Sequence, residues 1–269
     1  MNRILFYTTT SIVVILSLLP FAWFVDTSLK SPLEVTMIPP VLIPEGTLHS
    51  YRSAVEDYNL LRYVKNSLIV AGSVTVLTLI ISIFGGYALA RLRLKYKGLI
   101  MGSLLMVSMF PQISIAGPVW TLLQKAGWLN SYQGLIIPYV TLTLPLGVWI
   151  LASFFKELPG ELEDAARIDG CGHFGTLFKI IVPLAAPGVF TAAILVFIYA
   201  WNEFFFALLI MTQQKVQTLP VGIALFQGQY TLPWGELAAA STVATVPLVL
   251  LVFVFQKRIV RGLSAGAVK

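Results

Sequence analysis

KELPGELEDAARIDGCGHFGTLFKIIVPLAAPGV, residues Lys156–Val189, is a charged, amphipathic insert between two apolar stretches. A loop that only joined two membrane helices needs a handful of residues. This one has enough for two short helices. Pro159 suits a first helical turn, and Glu161, Glu163 and Asp164 follow where the helix dipole favours acids. Asp169-Gly170 then marks a turn, because glycine adopts the positive φ that commonly ends a helix. Ala165 and Ala166 leave bare surface beside Arg167 and the acids, so another protein can approach closely. The insert reads either as a docking helix through which a membrane protein receives force or as a solvated surface helix.

The surrounding composition fixes the class. The chain is 57% hydrophobic and only 11% charged, with mean hydropathy +0.84, whereas soluble domains carry about 25% charged residues. Apolar stretches recur, each long enough to cross a hydrocarbon core of ~30 Å. This predicts an all-α integral membrane protein, organised as one transmembrane domain over 1–269. Six spans are expected: Leu5–Ser28, Ser67–Ala90, Leu99–Leu122, Gln133–Phe154, Pro187–Ile210 and Leu237–Phe255. Continuous helices are favoured because a backbone in lipid must satisfy its own hydrogen bonds. Pro111 and Pro118 should bend the third span, and Pro138 and Pro145 the fourth. The first span lacks a small-residue cleavage pattern and reads as a retained helix rather than a signal peptide.

Basic residues set the expected orientation. If both termini lie in the cytoplasm, six of the 18 Lys and Arg fall outside (Lys30, Arg52, Arg62, Lys65, Lys125 and Lys215) and the remainder inside. The densest group, Arg91, Arg93, Lys95 and Lys97, occupies a short turn, where the positive-inside signal is strongest. The segment 156–182 then faces the cytoplasm. This distribution accounts for the net charge of +6 without nucleic acid. The lone Cys171 precludes an internal disulfide, and His49 and His173 are too far apart in sequence to suggest a metal site. No G-x-x-x-x-G-K-[ST] phosphate loop is present, so ATP chemistry would have to come from other subunits.

Glu203 is the acid expected inside a span away from its ends. About sixteen residues beyond Pro187, at ~1.5 Å each, it would sit ~24 Å along the helix. A charge there is expensive and suggests function. Tyr199 and Asn202 share its helical face, so the three could line a substrate pathway. The competing reading is interhelical hydrogen bonding that fixes the bundle.

Taken in order, Thr27-Ser28-Leu29-Lys30, Asn66-Ser67-Leu68, Tyr87-Ala88-Leu89-Ala90-Arg91, the insert, Trp201-Asn202-Glu203-Phe204 and the ending Gly262–Lys269 resemble the maltose-type carbohydrate permeases of binding-protein-dependent ABC importers. The resemblance covers nearly the whole chain. It implies a non-catalytic subunit of a bacterial or archaeal inner membrane. Partners would be a second, different permease, two ATP-binding subunits and an extracytoplasmic solute-binding protein. This chain would bind no cofactor, while ATP and Mg would be used by the ATPases. The insert would be their coupling segment, through Glu161, Glu163, Asp164, Ala165, Ala166, Arg167, Asp169 and Gly170. The family usually has Glu before its two alanines. Here Asp164 holds that place, with Glu163 before it, and either could meet a basic group on the ATPase, Asp164 being favoured by position. Gly228, Gln229 and Tyr230 would form a loop tip reaching into the binding protein. The tail, with Ser264, Ala265, Gly266 and Lys269, would contact the ATPases. A passive channel or ion-coupled carrier is the competing class, and an amino acid, phosphate or polyamine the competing cargo. The sequence does not name the sugar.

Overall fold

The computed structural model describes residues 3–226 and 232–265, with side chains as far as Gln256. It is helical, and no strand occurs among the described residues. In chain order the helices are α1 (Arg3–Ser28), α2 (His49–Glu56), α3 (Leu60–Arg91), α4 (Lys97–Met109), α5 (Gln112–Lys125), α6 (Tyr132–Glu157), α7 (Glu161–Ile168) and α8 (His173–Thr176). A π-helical turn at Leu177–Ile181 continues α8 into α9 (Val182–Leu184). Then come α10 (Ala186–Asn202), α11 (Phe205–Ile210), α12 (Leu219–Ala224) and α13 (Trp234–Ala265).

Helices α1, α3, α6 and α13 are each long and apolar enough to cross a membrane. Two bent pairs also qualify when each is taken together: α4 with α5, at 93°, and His173–Leu184 with α10, at 78°. The six apolar stretches thus become four unbroken helices and up to two bent spans. The expected span 99–122 is divided at Phe110-Pro111. Pro111 has no N–H to donate, and Phe110 is driven to an extended backbone (φ −68°, ψ 130°). Pro118, Pro138 and Pro145 instead lie within continuous helices. The expected span 187–210 is also not one helix: α10 ends at Asn202 and Glu203 is extended (φ −67°, ψ 127°).

The chain packs as two compact units. One comprises Met1–Val64 and Leu219–Val249. In it α1 is apolar and exposed on every side up to Val25, as befits a helix solvated by lipid or by another subunit. Its C-terminal end is tied down by polar contacts: Lys30 pairs with Asp26 at 2.7 Å and lies over the Trp23 ring, while the hydroxyls of Ser28 and Tyr51 meet at 2.8 Å. Tyr58 stacks on Phe226.

The other unit comprises Lys65–Thr218 and Leu250–Lys269, and α6 lies at its centre, with α4 and α10 packed on it. Leu135, Tyr139, Thr143, Gly147, Leu151 and Phe155 recur every fourth residue and are all buried, so the sequence writes one packing stripe down α6. Lipid tails are as apolar as leucine, so such helices associate through close packing and interhelical hydrogen bonds of order 0.6 kcal/mol each. Thr78 on α3 and Thr143 make one of these at 2.8 Å. Close packing shows where α10 crosses α6: a Cβ on Gly188 would lie 2.4 Å from Cγ of Phe154. A buried asparagine closes the opposite end. Asn66 donates to the carbonyls of Lys215 and Gln217 and accepts from the Tyr132 hydroxyl.

Candidate coupling site and the polar groups of the spans

The insert forms α7 and the helical run His173–Leu184, but that run is also one arm of the bent pair with α10 that is apolar enough to span. The expected insert 156–182 therefore overlaps the bent pair that stands in for the expected fifth span. Pro159 stands one residue before the α7 N-cap, Gly160, rather than inside the helix. At the other end Gly170 has φ +81°. The N–H of Gly170 donates to the Arg167 carbonyl and that of Cys171 to the Ala166 carbonyl. This is a Schellman termination, and it requires a left-handed residue where Gly170 stands. The second helix is anchored by Leu177, Ile181 and Ala185, spaced by four, which join Leu151 and Phe155 of α6 in one buried cluster.

Helix α7 has an inner and an outer face. Glu163 and Ala166, three apart, are buried. Glu163 forms an ion pair with Arg91 at the end of α3, Nε to Oε1 at 2.8 Å, and accepts a hydrogen bond from the Tyr87 hydroxyl at 3.3 Å. The Arg91 Nε–Oε1 approach is a Coulombic contact not aligned as a hydrogen bond. The same guanidinium donates through Nη2 to the carbonyl of Leu158, just past α6, at 2.6 Å. Glu161, Asp164, Ala165, Arg167 and Asp169 face outward. Asp164 and Arg167 are 3.7 Å apart at a largely exposed position, where such pairs contribute about 0–1 kcal/mol. The carboxylate that the chain uses internally is therefore Glu163, while Asp164 stays on the exposed face.

Ile168 on α7, 86% exposed, and Phe174 on α8, 72% exposed and edge-on to Phe84 of α3, add apolar surface that reading the charges alone missed. Their signal was available: a bulky apolar side chain beside a solvated turn. Tyr87, Glu163, Arg167, Gly170, Cys171, His173 and Thr176 border a shallow cavity of about 300 Å³ beside α7.

Tyr199, Asn202 and Glu203 each make a different set of hydrogen bonds. The Glu203 carboxylate is buried and caps α11, accepting from the backbone N–H of Phe206 at 2.9 Å and of Ala207 at 3.2 Å, and from the Tyr139 hydroxyl. Tyr199 accepts from Gln112 at 2.9 Å, linking α10 to the first residue of α5. Asn202 is exposed and donates back to the Ile198 carbonyl. A larger cavity of about 400 Å³ is lined by Val107, Leu123, Trp128, Ile137, Phe206 and similar groups. Its apolar walls do not match a polyhydroxylated ligand, whose buried hydroxyls need partners. Gly228, Gln229 and Tyr230 lie outside the described residues, as do Gly266 and Lys269; Ser264 and Ala265 end α13.

The trehalose/maltose transport system permease protein MalG of Thermococcus litoralis is 45% identical over 100% of this chain and 98% of its own length. The sulfoquinovosyl glycerol transport system permease protein SmoH of Agrobacterium fabrum is 44% identical over 98% of this chain and 93% of its own. Among solved structures, a chain of a bacterial ABC transporter that imports the acidic polysaccharide alginate superposes with a TM-score of 0.81. The superposition covers 96% of this chain and 98% of that one at 20% identity, a likeness of fold. Residues 78–265 match a family described as the inner membrane component of binding-protein-dependent transport systems, and the chain belongs to that family.

Proposed function

We propose that this chain is the membrane-spanning permease subunit of an ATP-driven importer of a sugar or oligosaccharide. The observation that carries the reading is identity of 40–45% along essentially the full chain to permeases named for trehalose, maltose and a sulfoquinovosyl glycerol. The outward face of α7 fits the role by its chemistry, since acids, Arg167 and the bare Ala165 alternate on a short helix held firmly at its back.

In this reading six spans, two of them bent, cross a bacterial or archaeal inner membrane with both termini in the cytoplasm. Helix α7 is the coupling helix and projects into the cytoplasm. A second permease completes the translocation pathway, a solute-binding protein delivers cargo from outside, and two ATPase subunits below bind ATP and Mg. This chain performs no covalent chemistry and holds no cofactor. Closing of the ATPases moves α7 with its subunit and rocks the spans, a rigid-body switch at interfaces. The energy enters as the differential affinity of the ATPases for two states of the membrane subunits.

The test is uptake by the complete complex in sealed vesicles, with a panel of radiolabelled disaccharides presented on the binding protein. Uptake should require ATP, stop with vanadate and survive dissipation of ion gradients. Accumulation that follows an ion gradient without ATP would overturn the reading. ATP-driven accumulation of an amino acid, phosphate or polyamine in place of every sugar would leave the mechanism and overturn the cargo.

A further inference from the structure

Arg91 joins three chain segments at one point. It terminates α3, its Nη2 holds the Leu158 carbonyl that follows α6, and its Nε lies 2.8 Å from the Glu163 carboxylate on α7. Tyr87, one turn earlier on α3, donates to the other oxygen of that carboxylate. The Arg91 and Glu163 side chains are only 15% and 11% exposed. An ion pair so shielded is poorly screened by salt, and removing one partner strands the other charge in a site built for two. Surface pairs such as Asp164–Arg167 have neither property.

We infer that Arg91 and Glu163 form the joint through which load on α7 enters the membrane spans. They are positioning residues that make α7 move as one body with the ends of α3 and α6. The inference rests on the proposed role of α7 and adds to it the path of the force. Two linkers alone connect α7 covalently to the spans. Leu158–Gly160 is short, and Asp169–Gly172 contains two glycines, Gly170 and Gly172. Such segments can flex under load, whereas a three-way polar contact at the helix flank resists both sliding and rotation. Ala166, buried on the same inner face, permits the close seat that the contact needs.

The experiment uses the complete transporter in proteoliposomes and reads ATP hydrolysed per sugar transported. Arg91→Ala and Glu163→Gln should raise that ratio, by roughly tenfold for the first and less for the second, while the ATPases still co-purify. The swapped pair, Arg91→Glu with Glu163→Arg, should recover part of the coupling. Glu163→Gln keeps the side chain's shape and its bond from Tyr87, so it serves where Arg91→Ala fails to assemble. A ratio within about twofold of wild type in an assembled Glu163→Gln complex would overturn the joint. So would loss of assembly in both single variants, which would make the pair a folding element. Crosslinking from Asp164→Cys on the outer face separates this proposal from the one beneath it. With no crosslink to the ATPase, the role of α7 falls and the joint with it. With a crosslink and an unchanged ratio, only the joint falls.

Discussion

The hydroxyl of Tyr139 on α6 donates to the carboxylate of Glu203, and Glu203 in turn caps α11 through the N–H groups of Phe206 and Ala207. One buried acid thus holds a break in an apolar stretch that would otherwise run on as a single helix. The cost of a charge at this depth is offset by three donors converging on two oxygens.

Glu203→Ala should destabilise the protein, because Tyr139 and two backbone amides lose their acceptor at about 1–3 kcal/mol for each group left unsatisfied. The measurement is thermal unfolding of the purified subunit in detergent beside uptake kinetics of the complex. A lowered unfolding temperature with unchanged KM is expected. A raised KM at an unchanged unfolding temperature would place Glu203 in the substrate pathway.

Gly188→Ala should also destabilise, by about 1–3 kcal/mol, since its Cβ would stand 2.4 Å from Cγ of the Phe154 ring. The ring cannot swing aside without disturbing the buried cluster around Phe155 and Leu151. Adding Phe154→Leu should recover part of the loss, read again as the unfolding temperature in detergent. An additive second penalty would mean that the crossing is not limited by this contact.

The spans were legible because lipid imposes one strong rule on sequence, and α1, α3, α6 and α13 obey it without interruption. The break at Phe110-Pro111 was legible for the same kind of reason, since proline's missing donor acts locally. The break at Glu203 was not. An acid in an apolar stretch signals that something must satisfy it, but its partner Tyr139 lies on another helix and its role as a cap depends on backbone that periodicity treats as helical. Arg91 shows the same limit. Within its own segment it reads as one more inward-facing positive charge, and only the folded chain brings it to Glu163. The division between Glu163 and Asp164 sat closer to the surface of the sequence. Glu163 and Ala166 are three apart, so the inner face of α7 could have been drawn from spacing alone.

Glu34 offers a pH test away from the spans. Ser31 and Glu34 form a reciprocal cap: the Ser31 N–H donates to the Glu34 carboxylate at 2.8 Å, and the Glu34 N–H donates to the Ser31 hydroxyl at 3.4 Å. The Glu45 N–H adds a bond at 3.1 Å. The Ser31 N–H above all holds the carboxyl below the ordinary glutamate value of 4.5, against the upward push of burial, with the Ser31 hydroxyl, the Glu45 N–H and Lys30 assisting. A depressed folded pKa means stabilisation that is complete above 4.5 and lost as pH falls through the lower folded value. The difference in unfolding temperature between wild type and Glu34→Gln should therefore be largest near neutrality and close in acid below that value. A difference that stays constant across the range would show that the carboxylate's charge is not what secures the loop.

Gly170 isolates backbone conformation from sterics in the proposed coupling segment. Its φ of +81° lies in the left-handed region, yet nothing stands within 4 Å of where its Cβ would be. A substitution there meets no wall, only the intrinsic cost of the conformation, about 1–2 kcal/mol for an ordinary residue and less for asparagine. Gly170→Val should loosen the Schellman end of α7 and free the carbonyls of Ala166 and Arg167 from their present donors. Gly170→Asn should keep that end largely intact. In the assembled complex the valine variant should lower ATPase co-purification and sugar uptake, with the asparagine variant close to wild type. If asparagine impairs the complex as severely as valine, the missing side chain, rather than the turn, is what the ATPase surface requires at this position.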